Sequence, residues 1–149
     1  MTLKGSCPCG AVRFTIEGPV RDVIVCHCDA CRDANAGGPW AASAALRGDF
    51  ALDDERALRW EKATVSACGA RRGLCRACGA YVVWEAPGRE TVSFGAALLD
   101  DGEHLAVVAH IWVPTAEQEA LGINGIAAHA EGMPDGIRVS WHDEPPATG

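Results

Sequence analysis

The sequence predicts one small, mainly β domain of short antiparallel sheets, stapled by metal. Three observations lead there. Apolar and polar residues alternate over short runs, which is the period of a half-buried strand and not of a helix. Seventeen glycines and eight prolines in 149 residues interrupt those runs, and these residues punctuate turns. Seven of the eight cysteines fall into three tight groups, Cys-x-Cys, Cys-x-Cys-x-x-Cys and Cys-x-x-Cys, a density that suits a soft metal ion better than a packed core.

In chain order, Gly5-Ser6-Cys7-Pro8-Cys9-Gly10 comes first. Two thiols two residues apart face one ion only if the backbone turns, and Pro8 and Gly10 supply that turn. Val12, Phe14 and Ile16 alternate with Arg13 and Thr15 as a strand, which Glu17-Gly18-Pro19 ends. Val23-Ile24-Val25 is a short apolar strand running into Cys26-His27-Cys28-Asp29-Ala30-Cys31-Arg32. Residues 32–40 read as a short helical turn and a loop, broken by Gly37-Gly38-Pro39. Strands are expected over 40–46, at Phe50 and Leu52 after the Gly48-Asp49 turn, around Leu58 and Trp60, and at Val65.

Cys75-Arg76-Ala77-Cys78-Gly79 has the zinc-knuckle pattern, in which a positive φ at the glycine lets backbone N–H groups face the thiolates. Strands follow over 81–84, 91–94 and 110–113, the last stopped by Pro114. A turn is expected over 98–102. Thr115-Ala116-Glu117-Gln118 has capping-box spacing and starts a short helix to Leu121. Residues 122–136 read as loop, 137–141 as a last strand, and the segment from about Glu144 as a frayed tail. No repeat or boundary divides the chain, so residues 1–149 are expected to form one domain.

A net charge of −7 without a basic cluster excludes nucleic acid and anionic membrane surfaces as partners. The start lacks an apolar secretory core, and no run approaches the ~20 apolar residues of a membrane span. The expected setting is cytoplasmic, where clustered cysteines indicate metal or redox chemistry and not a disulfide framework.

Cys7, Cys9, Cys75 and Cys78 make a set of four that can close a tetrahedral zinc. Pairing Cys7 and Cys9 with the triplet instead leaves Cys75 and Cys78 without partners. Cys26, Cys28 and Cys31 supply three ligands. Either a fourth comes from elsewhere, Cys68 included, or the ion keeps an open position. A redox pair at Cys28 and Cys31 is the rival use, but Gly37-Gly38-Pro39 cuts short the helix it needs. Cys68 is otherwise a buried free thiol. His27, between two ligands, is expected to face away, and His110 to be a hydrogen-bonded strand residue. His104, His129 and His142 carry no signal.

These motifs resemble the glutathione-dependent formaldehyde-activating enzyme family, which includes the centromere protein V relatives. The resemblance rests on Gly5-Ser6-Cys7-x-Cys9-Gly10-x-Val12-Arg13-Phe14, Cys26-His27-Cys28-x-x-Cys31-Arg32, Arg72-Gly73-Leu74-Cys75-x-x-Cys78-Gly79, and Gly95 with Leu99-Asp100-Asp101. It runs over about residues 5–113. Leu74 stands where the family usually has Phe, and Cys68 lies outside the motifs. The resemblance implies a β-tent fold and two Zn²⁺ ions, one structural on Cys7, Cys9, Cys75 and Cys78, the other catalytic and labile on Cys26, Cys28 and Cys31.

It also implies a carbon–sulfur lyase or synthase that joins a small-molecule thiol, glutathione, to formaldehyde or a related aldehyde. The open zinc would activate the thiol or polarise the carbonyl. Arg32 would offset the site's net charge of about −1, and Arg32 and Arg72 would receive the glutathione carboxylates. Arg71 is expected to be a solvated surface charge, and Asp29 to order the turn or a water. Two other readings remain open. One is a non-catalytic zinc-stapled binding module, the other a thiol-adduct enzyme with a different substrate.

Overall fold

The computed structural model describes residues 2–62, 69–102, 104–122, 125–133 and 140–142. Among them run β1 (Thr2–Ser6), β2 (Arg13–Glu17), β3 (Val20–Arg21), β4 (Val23–Cys26), α1 (Asp29–Ala34), β5 (Trp40–Leu46), β6 (Phe50–Leu52) and β7 (Leu58–Lys62). They continue with β8 (Arg71–Cys75), β9 (Tyr81–Glu85), β10 (Thr91–Gly95), β11 (Val107–Ile111), α2 (Thr115–Gly122), β12 (Ala127–Ala128) and β13 (Trp141–His142). The protein is mainly β.

Alternation builds the first sheet, in the antiparallel order β1-β2-β6. Leu3, Phe14 and Ile16 turn inward while Lys4, Arg13 and Glu17 face out. Gly5 is opposite Phe14. A Cβ there would lie 2.2 Å from Phe14 Cζ and 2.7 Å from the Leu98 carbonyl oxygen, so only glycine fits.

The second sheet is mixed, in the order β12-β11-β4-β5-β10-β9-β8-β7, with β3 and β13 at its side. β11 runs parallel to both β4 and β12, and the other pairs are antiparallel. The two sheets share one core. Phe14, Ile16 and Leu3 from the first meet Phe94, Val82, Val83 and Leu58 from the second, with Phe14 5.2 Å from Phe50 and 5.6 Å from Phe94 between ring centroids.

Several expectations are corrected. β1, β3, β8 and β12 are strands where none was expected, β12 within the stretch read as loop. β8 was hidden by Gly73, which reads as a breaker. In the sheet, a Cβ at Gly73 would lie 2.8 Å from Val83 Cγ1 and 3.0 Å from Leu58 Cδ1, so the glycine is required by close packing. α1 begins at Asp29 and not Arg32 because Cys28 caps it, its Sγ accepting from the Cys31 N–H at 3.3 Å.

The strand expected over 110–113 is Val107–Ile111 and ends at Trp112, whose φ of +56° breaks the extended backbone. The capping box does not form. The Glu117 N–H bonds the Pro114 carbonyl, and Gln118 Nε2 donates to the Val113 carbonyl. The last strand is seen only at Trp141–His142. Val65, residues 137–139 and the tail from 144 lie outside the described residues. No described helix is long and apolar enough to cross a membrane.

Candidate metal centres

Four cysteines from two distant parts of the chain converge first. Cys7 and Cys9 lie in the turn between β1 and β2. Cys75 ends β8, and Cys78 sits in the turn to β9. Two similar turns aim the sulfurs. The Gly10 N–H bonds the Cys7 carbonyl and the Gly79 N–H the Cys75 carbonyl, each at 2.9 Å, with φ near +78° and +77° at the two glycines. The Val12 N–H then points at Cys7 Sγ and the Cys78 N–H at Cys75 Sγ, at 3.3 and 3.4 Å.

The sulfurs of Cys7 and Cys9 are 3.4 Å apart, and each is 3.6 Å from that of Cys75. All four ligand sulfurs lie within 4.8 Å of one another. Four sulfurs at about 2.3 Å from one zinc would be spaced by about 3.8 Å, so the set fits that ion. Electrostatics agree. Burial opposes the Cys7 thiolate, but the Val12 N–H and the neighbouring thiols outweigh it and bring Cys7 down to about 6. The Ala11 N–H favours the Cys9 thiolate, yet competition with Cys7 pushes Cys9 up to about 12. One charge is easily held and a second needs a cation.

The triplet forms the second group, again within 4.8 Å. Cys26 ends β4, opposite Trp40 of β5 and Ile111 of β11. Cys28 caps α1 and Cys31 lies on its first turn. Cys26 and Cys28 sulfurs are 3.5 Å apart. Cys31 is buried, whereas Cys26 and Cys28 are half-buried. The hydrogen bond with Cys31 outweighs burial and, with the Arg72 charge, brings Cys26 down to about 6. Burial raises Cys28, and sharing with the ionised Cys26, followed by burial, raises Cys31 strongly. Three thiols that cannot all ionise unaided are a donor set that fits a dication. Among the described residues no fourth His, Cys, Asp or Glu joins them. Cys68 lies outside the described residues.

The arginines divide. Arg32 is half-buried and turned back on the triplet loop, Nε donating to the His27 carbonyl at 3.0 Å and Nη2 3.3 Å from His27 Nδ1. His27 faces away from the thiols, its Nε2 2.9 Å from His110 Nδ1. Arg72 is buried on β8 with its guanidinium carbon 5.7 Å from the Tyr81 ring centre, and it is the arginine whose charge acts on Cys26. Arg71 is not a bare surface charge. It lies 3.8 Å over Trp60 and pairs with Glu85 at 2.6 Å.

Sequence reasoning missed Tyr81 and Trp40 as parts of this site. They stack at 3.8 Å between centroids, 1° from parallel, and pack with Cys31 and Ala42, with Cys26 and Cys28 against them. The available signal was that Tyr81, the chain's single tyrosine, follows the knuckle glycine by two residues. A cavity of about 620 Å³, lined among others by Thr115, Gln118, His129 and Met133, contains no cysteine.

Residues 2–115 match the family model described as glutathione-dependent formaldehyde-activating enzyme. No curated protein matches the sequence. A crystal structure of a Rhodobacter sphaeroides protein from a structural genomics programme is similar in fold, with a TM-score of 0.55 at 23% identity, covering 84% of this chain and 98% of that one.

Proposed function

The chain belongs to the glutathione-dependent formaldehyde-activating enzyme family, and on that premise we propose that it is a zinc-dependent carbon–sulfur lyase or synthase. It adds the thiol of glutathione to formaldehyde or a related aldehyde, giving S-(hydroxymethyl)glutathione in the first case, in a cytoplasmic setting. The observation that carries this reading is the triplet. Three thiols converge with no fourth ligand among the described residues, and two of them are only half-buried. Cys7, Cys9, Cys75 and Cys78 form the structural site.

Cys26, Cys28 and Cys31 would hold a zinc ion, which would supply Lewis acidity and favour the thiolate form of a nearby thiol. Arg72 offsets their charge from within the protein. Arg32 braces the loop through His27 and, at the half-buried edge, is the cation placed for a glutathione carboxylate. Trp40 and Tyr81 wall the inner side against water.

In the addition, the glutathione thiol releases its proton to solvent and the sulfur bonds the carbonyl carbon. The C=O π pair moves to oxygen, which takes a proton from water. This reaction also runs without a protein, so orientation and thiolate formation are all that must be supplied.

The test is exchange NMR of formaldehyde with glutathione. The metal-loaded protein is expected to accelerate exchange between free and bound aldehyde, and Cys28→Ala to return it to the uncatalysed rate. A metal-loaded parent that leaves the uncatalysed rate unchanged contradicts the proposal.

A further inference from the structure

Two buried donors beside the triplet have nothing to donate to. Tyr81 is 3% exposed and Arg72 7%, yet Tyr81 Oη and Arg72 Nε have no hydrogen-bond partner among the described residues. Buried polar groups are nearly always paired, so an orphan marks either strain or an absent acceptor. Here two orphans are neighbours, the guanidinium lying 5.7 Å from the phenol ring centre and close enough to act on the Tyr81 oxygen, which still leaves the phenol O–H itself without an acceptor.

Both are held firmly. Tyr81 is clamped by the parallel Trp40 ring at 3.8 Å, and Trp40 Nε1 donates to the Tyr81 carbonyl at 3.3 Å. Arg72 is fixed in β8 opposite Trp84. Both sit with the triplet. Tyr81 packs against Cys31, with Cys26 and Cys28 on the same cluster. Neither orphan donates to any of the three sulfurs. A phenylalanine would fill the same space without a stranded hydroxyl, so packing alone does not explain the tyrosine.

We propose that Tyr81 Oη–H and Arg72 Nε–H form a two-donor oxyanion site, which receives the oxygen of a small carbonyl substrate as it becomes an alkoxide. Tyr81 is then a catalytic residue. The inference rests on the reading of the triplet as a thiol–carbonyl addition site. When the sulfur–carbon bond forms and the π pair moves to oxygen, the new negative charge meets two fixed donors in a water-poor wall, the arrangement that favours a transition state over its ground state. Solvent then supplies the proton that the thiol released. The donors are unpaired in the resting protein because their acceptor is the substrate oxygen.

The experiment uses the full-length, metal-loaded protein, with formate as a one-carbon oxyanion probe. Tyr81→Phe removes one unpaired hydroxyl and should leave metal content and melting temperature at parental values. Formate affinity, measured by calorimetry at fixed ionic strength, should fall about tenfold or more, and adduct exchange should slow by about a hundredfold. Unchanged formate affinity in Tyr81→Phe, or a parent that binds no formate, overturns the proposal. So does a loss of metal or of melting temperature, which would make the hydroxyl structural. If formate binding falls as expected while even the parent fails to accelerate adduct exchange, the oxyanion site stands and the thiol–aldehyde reading fails.

Discussion

His27 stands between two triplet thiols in sequence and faces away from them in space, because a residue between Cys26 and Cys28 in an extended segment points to the other side. Its partner His110 comes from the parallel neighbour β11. Burial lowers both imidazoles. At His27 the neighbouring His110 and Arg32 charges lower it further, while Glu117 opposes. A histidine with a depressed folded pKa contributes stability that is complete above its ordinary value of about 6.5 and is lost as pH falls toward the folded value. Melting temperature is therefore expected to drop between about pH 7.5 and about pH 5.5, and to drop less in His110→Asn. Equal losses would show that the pair does not couple to folding. At this scale the cysteines were legible, since spacing alone groups them. Arg72 was singled out as a carboxylate partner, but its burial was not legible, and Tyr81 was missed altogether, because both places arise only when β8 and β9 pair and set them beside a distant turn.

At the scale of elements, β8 shows what alternation cannot reveal. β2, β5, β9 and β10 were legible as strands because apolar runs or alternation mark them. β8 contains a buried arginine and a buried glycine, residues that ordinarily argue against a strand. Gly73 is there for space between Val83 and Leu58. Gly73→Ala is expected to destabilise the fold by about 1–3 kcal/mol through overpacking, read by urea denaturation. A change within error would mean that the neighbouring strands yield easily. The parallel pairing of β11 with β4 was equally hidden, since it joins residues far apart in sequence and no local signal specifies the partner. That pairing matters for the site, because the His27 N–H bonds the Ile111 carbonyl at 3.0 Å and so anchors the loop holding the triplet.

At the scale of the whole molecule, the four-cysteine cluster ties the β1–β2 turn to the end of β8, with Cys7 and Cys75 separated by 68 positions in sequence. A metal there would close a long loop and contribute directly to folding. The triplet lies elsewhere, at the end of β4 and the start of α1, so the two groups can be lost separately. The account stands on that separation: one set closed and structural, one open and reactive. Elemental analysis of zinc per chain, on protein purified without added metal, tests it most directly. The parent should carry about two zinc ions and Cys28→Ala about one, with its circular dichroism unchanged. A folded parent without zinc, or a Cys28→Ala variant with the parent's full complement, would contradict it.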